Sequence, residues 1–178
     1  MNTLQNEIAA DEEQIVWQGR YITTKLRGTW EYVSRARGIK AAVILAIDDG
    51  HVLLVEQFRV PLGQYCLELP AGLVGDEAED EAMEDAAARE LEEETGYRAG
   101  RIEVVGEFHS SPGMVSESFF FVRALDLVKV SDGGGVDGEN IIVHRVALDE
   151  VKAFMATKRA QGCAMDAKLL MLLGPGLI

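Results

Sequence analysis

Four glutamates, Glu90, Glu92, Glu93 and Glu94, fall within five positions of the stretch RELEEETG at 89–96. Gly96 is a natural helix stop, so these carboxylates occupy a last helical turn. The carbonyls there already carry partial negative charge and repel them. At about 100° per residue, Glu90, Glu93 and Glu94 share one side of the helix, continuing the face of Met83, Ala86 and Ala87. Glu92 points nearly the opposite way. Three convergent, partly buried carboxylates either take up protons or bind a hard divalent cation, Mg²⁺ or Mn²⁺. A solvated acidic helix has the same composition, so the choice between these readings rests on the surrounding elements.

The pattern predicts that helix over about 77–95, opened by Asp76 and Glu79 as a capping box. In front of it, LELPAGLVGDEAEDE reads as a strand ending at Pro70, followed by flexible glycines able to carry a backbone carbonyl to a metal. Most of the remaining chain reads as strands: 41–47 and 51–58 as a hairpin turned by Asp49 and Gly50, then 65–69, 101–108, 117–125 and 140–148. Residues 19–35 resemble a second hairpin, an appended N-terminal sheet. Further helical patterns occur at 148–160 and, weakly, at 166–173. The glycines of SDGGGVDGE at 131–139 predict a mobile loop, either a tolerated insertion or a lid.

At 178 residues and 48% hydrophobic content, the chain suits one domain with a substantial core. A net charge of −13 opposes binding to nucleic acid or an anionic membrane surface. An anionic substrate then needs metal ions or placed arginines. Cys66 and Cys163 lack metal-site spacing, and neither a signal region nor a membrane-length apolar run is visible, which reads as cytoplasmic.

Gly75, Glu81, Arg89, Glu90, Leu91, Glu93, Glu94 and Gly96 match the pattern G-x5-E-x7-R-E-U-x-E-E-x-G-U, where U is a bulky aliphatic residue. Only Tyr97, at the last position, departs from it. This segment resembles the Nudix box, and the resemblance implies an α/β fold: a Nudix-type α/β/α sandwich with a mixed sheet, after a small N-terminal antiparallel sheet. It implies that Glu90, Glu93 and Glu94 bind Mg²⁺ with help from the Ala71 carbonyl, while Arg89 and Glu81 hold the glutamates in place. A pyrophosphate repels an attacking hydroxide, and clustered metals neutralise that charge while activating water.

The resemblance reaches the ADP-ribose and ADP-sugar pyrophosphatase branch through QFRVPLGQYCLELPAG, the SPG at 111–113 and the DGE at 137–139, with Pro112 fifteen residues after Tyr97. It implies hydrolysis of ADP-ribose to AMP and ribose 5-phosphate, with Arg59 on phosphate and Pro112, Gly113 and Met114 near the substrate. The general base is a loop glutamate, Glu139 by preference or Glu117. His109 and His144 receive no role. In related enzymes the N-terminal sheet crosses to the partner of a homodimer. That implies residues 1–37 as a subdomain for dimerisation and adenine contacts, ahead of a hydrolase domain at 38–178. Tyr21 and Trp30, read as flanking a turn, would sandwich the adenine, with Glu31 and Arg35 contacting the ligand. The alternative for these aromatics is a small cluster that stabilises the hairpin. Two other functions fit the box: a GDP-mannose or broad nucleoside-diphosphate-sugar pyrophosphatase, and a binding module that does not cut.

Overall fold

The structure, a computed structural model, describes residues 12–36, 39–75, 81–136 and 138–174. It contains two sheets. Strands β1 (Gln14–Gln18), β2 (Ile22–Arg27) and β3 (Trp30–Arg35) form an antiparallel N-terminal sheet. The second, mixed sheet runs from β4 (Lys40–Asp48) to β11 (Ala164–Met165), through β5 (His51–Arg59), β6 (Gln64–Glu68), β7 (Ala71–Val74), β8 (Tyr97–His109), β9 (Ser118–Lys129) and β10 (Ile142–Ala147). β4 pairs parallel with β9 and antiparallel with β5 and β7, and β11 pairs parallel with β6.

Alternation along the central strands produces two cores. Val43, Leu45, Val52 and Leu54 face one side, while Ala42, Ile44, Ala46 and Leu53 face the other. Helix α1 (Met83–Thr95) covers the second side through Ala87 and Leu91. Helix α2 (Val151–Ala160) and a 3₁₀ helix at Ala167–Leu173 cover the first through Val151, Met155, Leu169 and Leu172. The result is the expected α/β/α sandwich. Asp49 and Gly50 turn the central hairpin at φ 44° and 71°, the left-handed pair that a tight hairpin requires.

Several elements differ from the sequence reading. Helix α1 begins at Met83, and Ala82 caps it without a side-chain bond; Asp76 and Glu79, the expected capping pair, lie outside the described residues. Strand β1 has no alternating pattern and all its residues are exposed, so no core periodicity marked it. Residues Ala71–Val74 are a strand paired to β4 and not a flexible tether. Gly72 is needed for space: a Cβ there would lie 2.0 Å from Glu90 Cδ.

The two sheets meet at the β8–β9 loop. Val33 of β3 donates to Met114 O and accepts from Ser116 N, each at 2.9 Å. The boundary drawn at 37 and 38 falls on residues outside those described.

Candidate active site

Helix α1 brings the expected face together. Ala86, Ala87, Leu91 and Glu94 are buried, and Glu90 and Glu93 are half-buried. Glu92 turns to the surface and forms a two-point ion pair with Arg98 at 2.7 and 2.8 Å. Gly96 ends the helix at φ 75°, its N–H donating to Glu92 O. Tyr97, the position that departs from the box, packs its ring into the core beside α1, filling an aliphatic residue's place.

Arg89 is the hub of the cluster. Its Nε and Nη2 donate to the two Glu81 oxygens at 3.1 and 3.3 Å, and its Nη1 reaches Glu90 at 3.1 Å and Glu93 at 3.4 Å. Glu94 lies deepest, 6% exposed, and accepts from the Ala71 N–H at 3.0 Å. Burial pushes its carboxyl up to about 8, reinforced by Glu90 and Glu139 and opposed by the Ala71 N–H and Arg59. Burial also raises Glu90, against the pull of Arg89.

A divalent cation is a fitting counter-ion here. The donors are hard carboxylate oxygens, α1 has no basic residue in its last turn besides the committed Arg89 ahead of it, and two of the glutamates are held above their ordinary range by burial and mutual repulsion. Among the described residues the carboxylates do not already form a three-ligand cage. Arg89 holds Glu90 and Glu93 while the Ala71 amide holds Glu94, so a cation competes with these partners. The contact between Ala71 and the cluster runs through its N–H.

These groups line a cavity of about 530 Å³, together with Arg35, Arg59, Glu117 and Glu139. In this structure the loop bearing Glu139 lies against the end of α1. Gly134 and Gly135 donate to the carbonyls of Glu94 and Glu93 at 2.9 and 3.0 Å, satisfying orphan acceptors at the end of α1. A Cβ on Gly133 would meet the Thr95 backbone at 2.4 Å, so contact this close requires glycine. Glu139 accepts from the Val136 N–H at 2.9 Å. Glu117 is engaged by Arg35 Nε at 2.5 Å.

Arg59 forms a two-point pair with Glu68, Nε at 2.6 Å and Nη2 at 2.9 Å, and among the described residues Nη1 has no carboxylate partner. Glu68 is 7% exposed and was missed in the sequence; an acidic residue between Leu67 and Leu69 was the available signal. Gln57, Ser110 and Lys168 also line the cavity without having been singled out.

The remaining expected substrate residues lie away from the cavity lining. Pro112, Gly113 and Met114 belong to the loop docked on β3, and Met114 is exposed. Tyr21 and Trp30 do not flank one turn. The turn is Gly28 and Thr29, next to Trp30, whereas the Tyr21 carbonyl accepts from Ala36 N at the other end of the hairpin. Trp30 is five residues along β3 from the cavity-lining Arg35, about 17 Å. Glu31, one residue further in, is also exposed. One chain therefore cannot close both aromatics on a single base.

Residues 36–165 match the family described as NUDIX domain. The chain is 51% identical over 121 residues to an ADP-sugar pyrophosphatase of Mus musculus, covering 57% of this chain and 54% of that protein. It is 34% identical over 110 residues to an ADP-ribose pyrophosphatase of Bacillus subtilis (61% and 58%). It is equally 34% identical over 137 residues to a GDP-mannose pyrophosphatase of Pectobacterium atrosepticum (72% and 67%). A solved structure of an ADP compounds hydrolase superposes with a TM-score of 0.69 at 23% identity, over 94% of this chain and 95% of that one, a likeness of fold.

Proposed function

The chain belongs to the NUDIX family, and from that premise we propose that it hydrolyses the pyrophosphate bond of ADP-ribose or a related nucleoside diphosphate sugar. The observation that carries this reading is the half-buried to buried glutamate face of α1 opening onto one cavity with Arg59 and Glu139.

In this mechanism Glu90, Glu93 and Glu94, beside Ala71, would hold Mg²⁺, or Mn²⁺ in its place, which when bound would neutralise charge at the phosphates and acidify a water. Arg89 and Glu81 keep the carboxylates aligned. Arg59, fixed by Glu68, turns its remaining donors to a phosphate oxygen. Glu139 takes the proton from the attacking water as its oxygen bonds to phosphorus and the bridging P–O bond breaks, giving AMP and ribose 5-phosphate. Glu117 is the weaker candidate for the base, because its carboxylate already answers Arg35.

Adenine recognition falls to the N-terminal subdomain, residues 1–37, through its strands β1–β3, with Pro112, Gly113 and Met114 forming the docked edge. Tyr21 and Arg35 stand at the cavity end of the sheet, whereas Trp30 and Glu31 are too far along it to serve the same cavity. A homodimer answers this: Trp30 and Glu31 of one copy complete the site of the other. The exposure of Ile15, Val16, Trp17 and Ile22 on the same sheet fits a surface covered by a second copy. Both described cysteines are buried and free, and no described helix is long and apolar enough to cross a membrane, in keeping with a cytoplasmic enzyme.

The similarity to a GDP-mannose pyrophosphatase supports a second reading, since the glutamate face addresses the diphosphate and not the base. A panel of ADP-ribose, other ADP sugars and GDP-mannose, compared by kcat/KM with Mg²⁺, tests the first. ADP-ribose or another ADP sugar should lead; preference for GDP-mannose would transfer the assignment.

A further inference from the structure

The family match ends at residue 165, yet the cavity does not: Lys168, on the 3₁₀ helix beyond it, lines the same cavity as the glutamates. Its position is fixed at several points. Leu169 and Leu172, three residues apart as a 3₁₀ period demands, are buried in the core. Asp166 caps the helix, accepting from Lys168 N at 2.7 Å and from Lys168 Nζ at 2.6 Å, while its own N–H donates to Leu67 O of β6. The Lys168 ammonium also lies 5.6 Å from the centroid of the Phe119 ring.

These contacts determine what Lys168 can meet. Phe119 on β9 is paired with Ala41 on β4, which is paired with Leu73 on β7, next to the Gly72 against which Glu90 packs. Two strand spacings separate Phe119 from β7, about 10 Å. The Lys168 ammonium thus enters the cavity beside Phe119, already paired with Asp166. Asp166 engages one of its three N–H donors and neutralises its charge. A neutralised ammonium with spare donors suits hydroxyl oxygens better than another phosphate.

We propose that Lys168 is a specificity-determining residue that donates hydrogen bonds to the hydroxyls of the sugar beyond the diphosphate. The inference rests on the pyrophosphatase reading, which assigns the adenine to the aromatic N-terminal sheet and leaves the distal sugar to be read. Phe119 and Asp166 are its positioning partners.

The test compares ADP-ribose with the β-methyl ester of ADP, which keeps the pyrophosphate but has no sugar beyond it. K168M should raise KM for ADP-ribose about tenfold, as expected for losing a hydrogen bond from a charged group. Its kcat should stay within about twofold, and its kinetics on the methyl ester should match wild type. K168R should recover much of the lost affinity. Thermal melts establish that the variants fold, and K168Q repeats the measurement if methionine disturbs the Phe119 contact. Equal losses on both substrates, or no loss on either, would overturn the inference while leaving the pyrophosphatase reading intact. A wild-type protein that cleaves the methyl ester but no ADP sugar contradicts that reading, and this inference with it.

Discussion

The end of α1 and the N-terminal sheet are built on opposite terms. At α1 the proposed catalytic groups are held by the same chain: Arg89 gathers three glutamates, the Ala71 amide takes a fourth, and the loop carrying Glu139 donates from Gly134 and Gly135 to the helix carbonyls. On the N-terminal sheet Trp17, Tyr21 and Trp30 stand more than half exposed, and the two aromatics meant for one base lie at opposite ends of a hairpin. On the proposed function, the bond-breaking groups come from one chain, while base recognition would draw on a second copy.

The largest expected effect falls on the self-contained region. Glu94→Gln should lower kcat by roughly 10³ or more, the scale of losing a group that stabilises transition-state charge. Glu92→Gln, which loses only a surface pair with Arg98, should leave it near wild type. Steady-state kinetics at limiting Mg²⁺ read the difference, and a reversed ranking would place the functional face on the other side of α1. Glu139→Gln should reduce kcat on the order of 10²-fold with KM little changed, as for lost general-base help. A larger loss from Glu117→Gln would move the base to the loop docked on β3.

The N-terminal sheet is tested next. Trp30→Ala should weaken ADP-ribose binding by about 1–3 kcal/mol, the range for base–aromatic stacking, without altering Mg²⁺ titration. Mixing it with Glu94→Gln sharpens the comparison. In a mixed dimer the Trp30→Ala chain keeps intact glutamates and borrows the tryptophan of the other, so one full site should return. Absence of complementation in a mixture shown to exchange subunits would contradict completion by a second copy.

A separate expected effect falls on the stability of the metal-free protein. Glu94 is held up to about 8 by burial, above its ordinary carboxylate value of 4.5, so the folded state retains a proton that the unfolded chain releases. Without metal, stability should be greatest below pH 4.5, so far as this group decides it, and fall by about 1.4 kcal/mol per pH unit up to about 8. Melting curves of metal-free protein should show that decline, and Glu94→Gln should flatten it.

What the sequence disclosed follows the same division. The face of α1 was legible because 3.6-residue periodicity and the box spacing constrain the same residues, and the core strands were legible because they alternate. The helix start was not, since acidic residues before Met83 resemble a first turn whether or not the backbone coils. Glycine has two meanings that composition does not separate. At 133 and at 72 it permits close contact with α1. Strand β1 and the true placement of Tyr21 depend on pairing across the sheet, which no local pattern records.

The most direct test of the central claim is the product spectrum from purified protein, ADP-ribose and Mg²⁺, followed by ³¹P NMR. The account predicts conversion of the pyrophosphate signals into two phosphomonoesters, AMP and ribose 5-phosphate in equal amounts, abolished by Glu94→Gln and by chelation. An intact pyrophosphate bond under conditions where ADP-ribose is demonstrably bound would contradict it.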